Sequence, residues 1–233
     1  MKDSGKDTNC ADVQFARRIA MLSAAPPEIF WRESFSRSAA TKGKSWKEVH
    51  SLGKRASDCG RLYGKQAARR RESVSELCLA SGLSIQELSA PPSPQRELLG
   101  LFEPPYTIFV RTAFMDRCDR YLADSGLDRV LGTVCCRDIV LAHEYFHFLE
   151  TRDYKTIFTR TYTEPCGIFK RRSTLAPLSE IAAMSFAQEL LGLSWSPFLL
   201  DWIVLSLSDR HSALSVLERW ECFAAETSVK LER

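Results

Sequence analysis

The chain has 233 residues, 45 % hydrophobic and 26 % charged, the profile of a globular protein long enough for one sizeable core. Its formal charge of +3 is too small to argue for nucleic acid, and the basic residues bunched between Lys42 and Arg71 read as a solvated face. No apolar stretch follows a basic start, and the most apolar later run, 190–207, is interrupted by Pro197, Asp201 and serines; the expectation is a cytoplasmic protein with no secretory signal and no membrane span.

Residues 1–44 read as an N-terminal segment, partly disordered and frayed over 1–12, with a short helix at 11–22 ended by Ala25-Pro26-Pro27. From Ser45 to Arg71 the pattern is helical, with Trp46, Val49, Leu52 and Leu62 as sparse anchors. The stretch Val74 to Ser84, with Gly82 in the turn, is similar to the start of a helix-turn-helix, which defines one alternative: a DNA-binding protein acting through 74–88. Against it, the helix that would read bases meets Pro91-Pro92 almost at once and begins without Arg, Lys or Asn. Tyr106 to Val110, bounded by Pro104-Pro105, is the best strand pattern. Thr112–Ala123 and Leu127–Val134 read as helices and lead into another at about 138–152. Thr156 to Thr163, rich in β-branched and aromatic residues, reads as a strand that could pair with 168–170. A helix at about 178–191 ends at Gly192, and 198–233 reads as a helical extension.

The helix at 138–152 carries His143-Glu144-Tyr145-Phe146-His147, an H-E-x-x-H. Residues four apart on a helix lie one above the other, so both imidazoles can reach one divalent metal. Glu144 is turned about 100° from His143 and can address a water there without entering the ligand set. A metal such as zinc brings the pKa of that water towards neutrality, and a glutamate can take its proton. The rest of the helix is apolar on nearly all sides. Two histidines and two acids in such a setting would need several unrelated partners, and a metal satisfies them together.

Catalytic zinc ordinarily has three protein ligands and an open position. The helix at 178–191 puts Glu180, Ala183 and Ala187 on one face, one carboxylate backed by small side chains that permit close approach. Glu180 is therefore the expected third ligand, with Glu150, Glu164, Cys166 and His211 as competitors, and Glu189 should face away. Eight cysteines without a C-x-x-C pair read as reduced, mostly buried thiols.

Leu141-Ala142-His143-Glu144-x-x-His147 followed by Glu180-x-x-Ala183-x-x-Phe186-Ala187-x-Glu189-Leu190-Leu191 resembles the ImmA/IrrE metallopeptidases over about 70–195. Tyr145-Phe146 stands where the family more often has a small or Gly-containing pair. The resemblance implies a gluzincin-like site in a compact α+β domain; the chain reads as one such domain over 45–197, mostly helical with a small sheet, with 198–233 packed on it. It also implies a zinc-dependent endopeptidase in which His143, His147 and Glu180 bind the metal and Glu144 is the base. The substrate it implies is a protein, typically a helix-turn-helix repressor. The second alternative is a regulatory or binding protein that keeps the metallopeptidase fold without efficient cleavage. Oligomeric state and oxyanion stabiliser stay open, with Tyr154, Arg160, Tyr162 and His211 as candidates for the latter.

Overall fold

The computed structural model describes residues 15–88, 98–166, 169–172 and 175–231, with the backbone alone for 164–166, 169–172 and 227–231. The frayed start expected for 1–12 lies outside them. The segment up to residue 44 carries helix α1 over 15–23, α2 over Glu28–Ser36 and a 3-10 turn at Ala39–Thr41, with Ile19, Leu22, Phe30 and Trp31 in the core. The sequence pattern had not distinguished α2. The chain turns just before Pro26, where the loss of an N–H ends α1.

Helix α3 (Trp46–Ala68) opens on a capping box in which the Ser45 hydroxyl accepts from the Glu48 amide and the Glu48 carboxylate accepts from the Ser45 amide. Its buried stripe shrinks along the helix: Val49, Leu52, Gly53, Ala56, Ser57, Gly60, Gly64. The small end lies against helix α9 (Ala176–Leu191), where a Cβ on Gly60 would stand 2.0 Å from the Ala182 carbonyl oxygen. Ser185 donates to Ser57 across the same contact at 2.9 Å. Helix α9 buries Pro177, Leu178 and every residue from Ile181 through Ala187, as a helix apolar on nearly all sides must, because α7 (Cys136–Arg152) packs on it as well. Gly192, left-handed at φ +64°, ends it.

Helix α4 (Val74–Ala80) begins on a second capping box, Ser73 with Glu76. After Gly82 the chain enters strand β1 (Ser84–Glu87), so the helix a base-reading motif would need there is a strand. Strands β2 (Gly100–Glu103) and β3 (Thr107–Val110) complete a sheet of order β1-β3-β2, β1 parallel and β2 antiparallel to β3. Phe102 lies opposite Ile108, and both are buried on the side that meets α7.

Helices α5 (Thr112–Asp124) and α6 (Asp128–Leu131) lead to α7. The expected strand at 156–163 is corrected. Phe158–Thr161 is a helical turn, α8, and the hairpin lies one step later, β4 (Thr163–Cys166) with β5 (Phe169–Arg172). Inside the turn the Thr161 hydroxyl meets the Ile157 carbonyl and Phe158 packs on Tyr162; from outside, Arg55 of α3 lies over the Phe158 ring and Arg160 reaches Glu150 of α7, tertiary contacts that outweigh β propensity.

Helices α10 (Phe198–Ser208) and α11 (Arg210–Leu231) close the chain. Helix α11 is tied back to α1 and α2 through Arg18–Glu221, Arg32–Glu226 and Glu33–Arg219, with Trp220 edge-on to Phe30. The fold is α+β and mostly helical, and no described helix is long and apolar enough to cross a membrane. All six cysteines whose side chains are described in these elements are free, with Cys78, Cys118 and Cys136 buried.

Candidate metal centre

Helices α7 and α9 bring three side chains together. The Nε2 atoms of His143 and His147 are 3.0 Å apart, Glu180 Oε2 lies 3.4 Å from His143 Nε2, and Glu180 Oε1 lies 3.9 Å from His147 Nε2. His143, His147 and Glu180 could hold a metal ion: one ligand atom from each lies within 4.8 Å of the others. Ligands about 2.0–2.1 Å from a tetrahedral ion sit roughly 3.4 Å from one another, so these separations suit a small divalent metal.

Electrostatics point the same way. Burial pushes the His143 imidazole down, but Glu180, with Glu144 and Asp201 beyond it, pushes it up further, to about 9. The cluster therefore holds a proton at neutral pH when nothing else supplies positive charge. His147 is oriented by a hydrogen bond: its Nδ1 lies 3.0 Å from Glu150 Oε2. An ionised carboxylate only accepts, so Nδ1 carries the hydrogen and the lone pair is on Nε2, facing the cluster. His143 differs, for its Nδ1 is buried with no hydrogen-bond partner among the described residues.

Glu144 is 7 % exposed and its Oε2 accepts from the Phe102 amide at 2.8 Å. The hydrogen-bonded pairs of the β2–β3 ladder, marked by Arg111 N–H on the Leu99 carbonyl, alternate with open ones. Phe102 falls in an open pair, so its N–H leaves β2 on the side away from β3 and reaches the helix. Gly100 makes the approach possible, because a Cβ there would lie 2.5 Å from Val140 Cγ1 and 2.9 Å from Glu144 Cγ.

Around this group runs a cleft of about 1180 Å³, bordered by β2, the first turns of α9, the length of α10, and faces of α2 and α11. It has the size of a ligand-binding cleft and meets His143, Glu144, His147 and Glu180.

The competing ligands separate clearly. Glu150 is fully buried and meets the outer nitrogen of His147, so it supports a ligand instead of being one. His211 is exposed near the start of α11, outside the cluster. The side chains of Glu164 and Cys166 lie outside the described residues. Glu189 lies against Gly64 of α3, on a different side of α9 from Glu180. Among the oxyanion candidates, Arg160 borders the cleft and Tyr154 is largely exposed.

Sequence reasoning passed over Asp201, used only as a charge interrupting an apolar run. A lone acid among Leu199, Leu200, Trp202 and Ile203 was the signal available. Ser179 reads in the sequence only as a possible helix start; the helix begins at Ala176, and the Ser179 hydroxyl donates to Glu150 instead. Compared with protein-family models, with curated proteins and with solved structures, the chain matches none.

Proposed function

We propose that the chain is a zinc-dependent endopeptidase with a gluzincin-like site, related in kind to the ImmA/IrrE metallopeptidases its two motifs resemble. The observation that carries the reading is the convergence of His143, His147 and Glu180 from two helices, with the Glu144 carboxylate held beside them at the edge of a cleft.

Zinc held by those three residues supplies Lewis acidity and brings the pKa of a water towards neutrality. Glu144 takes the proton as general base and returns it to the leaving amine. The Phe102 amide fixes one carboxylate oxygen and leaves Oε1 to work, so the base is oriented before substrate arrives. Among the described residues the outer edge of β2 pairs with no other strand; its Phe102 N–H is taken by Glu144, but the rest of that edge borders the cleft, which supports a protein substrate lying there in extended form. The substrate class implied by the resemblance is a transcriptional repressor or other regulator.

Purified protein should carry close to one zinc per chain by elemental analysis, and His143→Ala or His147→Ala should lose it. Glu144→Gln should keep the metal and lose hydrolysis by about 10²-fold or more. New protein N-termini should appear in a cell lysate treated with the parent and not with Glu144→Gln. A chain that takes up no metal on titration overturns the reading. Metal without any new N-termini favours the binding or regulatory alternative.

A further inference from the structure

Glu150 has no exposed surface, and a carboxylate taken wholly out of water is costly unless its surroundings repay it. The chain concentrates the repayment on one oxygen. Oε2 lies 3.0 Å from His147 Nδ1 and 3.0 Å from Arg160 Nη2 of α8, and it accepts the Ser179 hydroxyl of α9 at 2.5 Å. The Ser179 hydroxyl also lies 3.2 Å from His147 Nδ1, closing a small ring of contacts. One side chain thus meets three helices at the point where the ligands are delivered.

We infer that Glu150 is the positioning residue of the metal centre, with Ser179 and Arg160 as its supports; the inference rests on the reading of His143, His147 and Glu180 as ligands. Two effects run through it. By accepting from Nδ1 it selects the His147 tautomer whose Nε2 is free to ligate. By holding Ser179 it fixes the residue next to Glu180, so the carboxylate of α9 is delivered to the histidines of α7 at a set distance. Arg160 balances the buried charge from the cleft side without entering the ligand group. A residue that only filled space here would not need three donors on one atom.

The test is Glu150→Gln, which keeps shape and packing but removes the charge. Zinc affinity, measured by competition with a chromophoric chelator at a temperature where circular dichroism shows a folded chain, should fall about 10- to 100-fold. The visible bands of the cobalt-loaded protein should shift. Ser179→Ala should weaken zinc by a smaller factor, and the double variant should lose no more than Glu150→Gln alone, because both changes act on one unit. A purely structural Glu150 would lower metal-free stability and leave zinc affinity and cobalt bands as in the parent, and that result overturns the inference alone. A parent chain that takes up neither zinc nor cobalt overturns the metal reading together with it. If Glu150→Gln does not fold, Ser179→Ala decides, unchanged zinc affinity there overturning the inference.

Discussion

Gly100 sets how closely β2 can approach Glu144, the proposed general base. Adding one methyl group at Gly100→Ala would push on Val140 and on Glu144 Cγ, the side chain whose carboxylate accepts from the Phe102 amide. A displaced base loses rate steeply, so hydrolysis should fall on the order of ten- to a hundredfold while bound zinc stays near the parental level. Equal loss of zinc and activity would show that the ligands, and not the base, had moved. Neither Gly100 nor Phe102 could be linked to the site by reading the chain, since their contact with Glu144 spans more than forty positions. His143, Glu144, His147 and Glu180 were legible because helical periodicity alone places them on usable faces. Glu150 was legible as an acid near the histidines, but periodicity cannot say which ring nitrogen it meets.

At the scale of elements, the decisive contact is α3 on α9. Alanine is ordinarily better than glycine inside a helix by about 1 kcal/mol. Gly60→Ala should show the opposite sign, because its Cβ would collide with the Ala182 carbonyl and the two helices would have to part. A cost of about 2–4 kcal/mol is expected by urea unfolding. Gly64→Ala should cost less, because its nearest contacts, Glu189 Cβ and the Phe186 carbonyl oxygen, would each stand 2.9 Å away, against 2.0 Å at Gly60. Elements with strong local signals were legible: α3 had a Ser–Glu capping box, α9 its proline start and glycine end. Elements decided by distant packing were not. Strand β1 follows a helix end that could have led to another helix, and α8 occupies residues whose local preference is extended.

For the molecule as a whole, the clasp between α11 and the first helices sets an acid limit. Burial pushes the Glu33 carboxyl up, but hydrogen bonds from Arg219 and Arg37 hold it below its ordinary 4.5. A depressed carboxyl contributes stability fully above the unfolded value and loses it as pH falls through the folded one. Unfolding free energy should therefore decline below about pH 4.5, and Glu33→Gln should flatten that limb while lowering stability at neutral pH. Arg219→Ala should cost about 1–3 kcal/mol at pH 7, since it leaves a nearly buried carboxylate with Arg37 as its remaining charged partner. Denaturant titrations at several pH values read both effects. None of these three charge pairs was visible in the sequence, because partners such as Arg18 and Glu221 are separated by almost the whole chain.

The contact at Gly60 also has an evolutionary meaning. What a side chain there would strike is a main-chain oxygen, so no change of residue type at position 182 can make room for it. Most core positions can drift in pairs, one side chain shrinking as its neighbour grows. Position 60 has no such trading partner, and a lineage could replace its glycine only by moving a helix axis. Descendants of this chain that keep the fold should therefore retain glycine at 60 even where the residues around it have been rewritten.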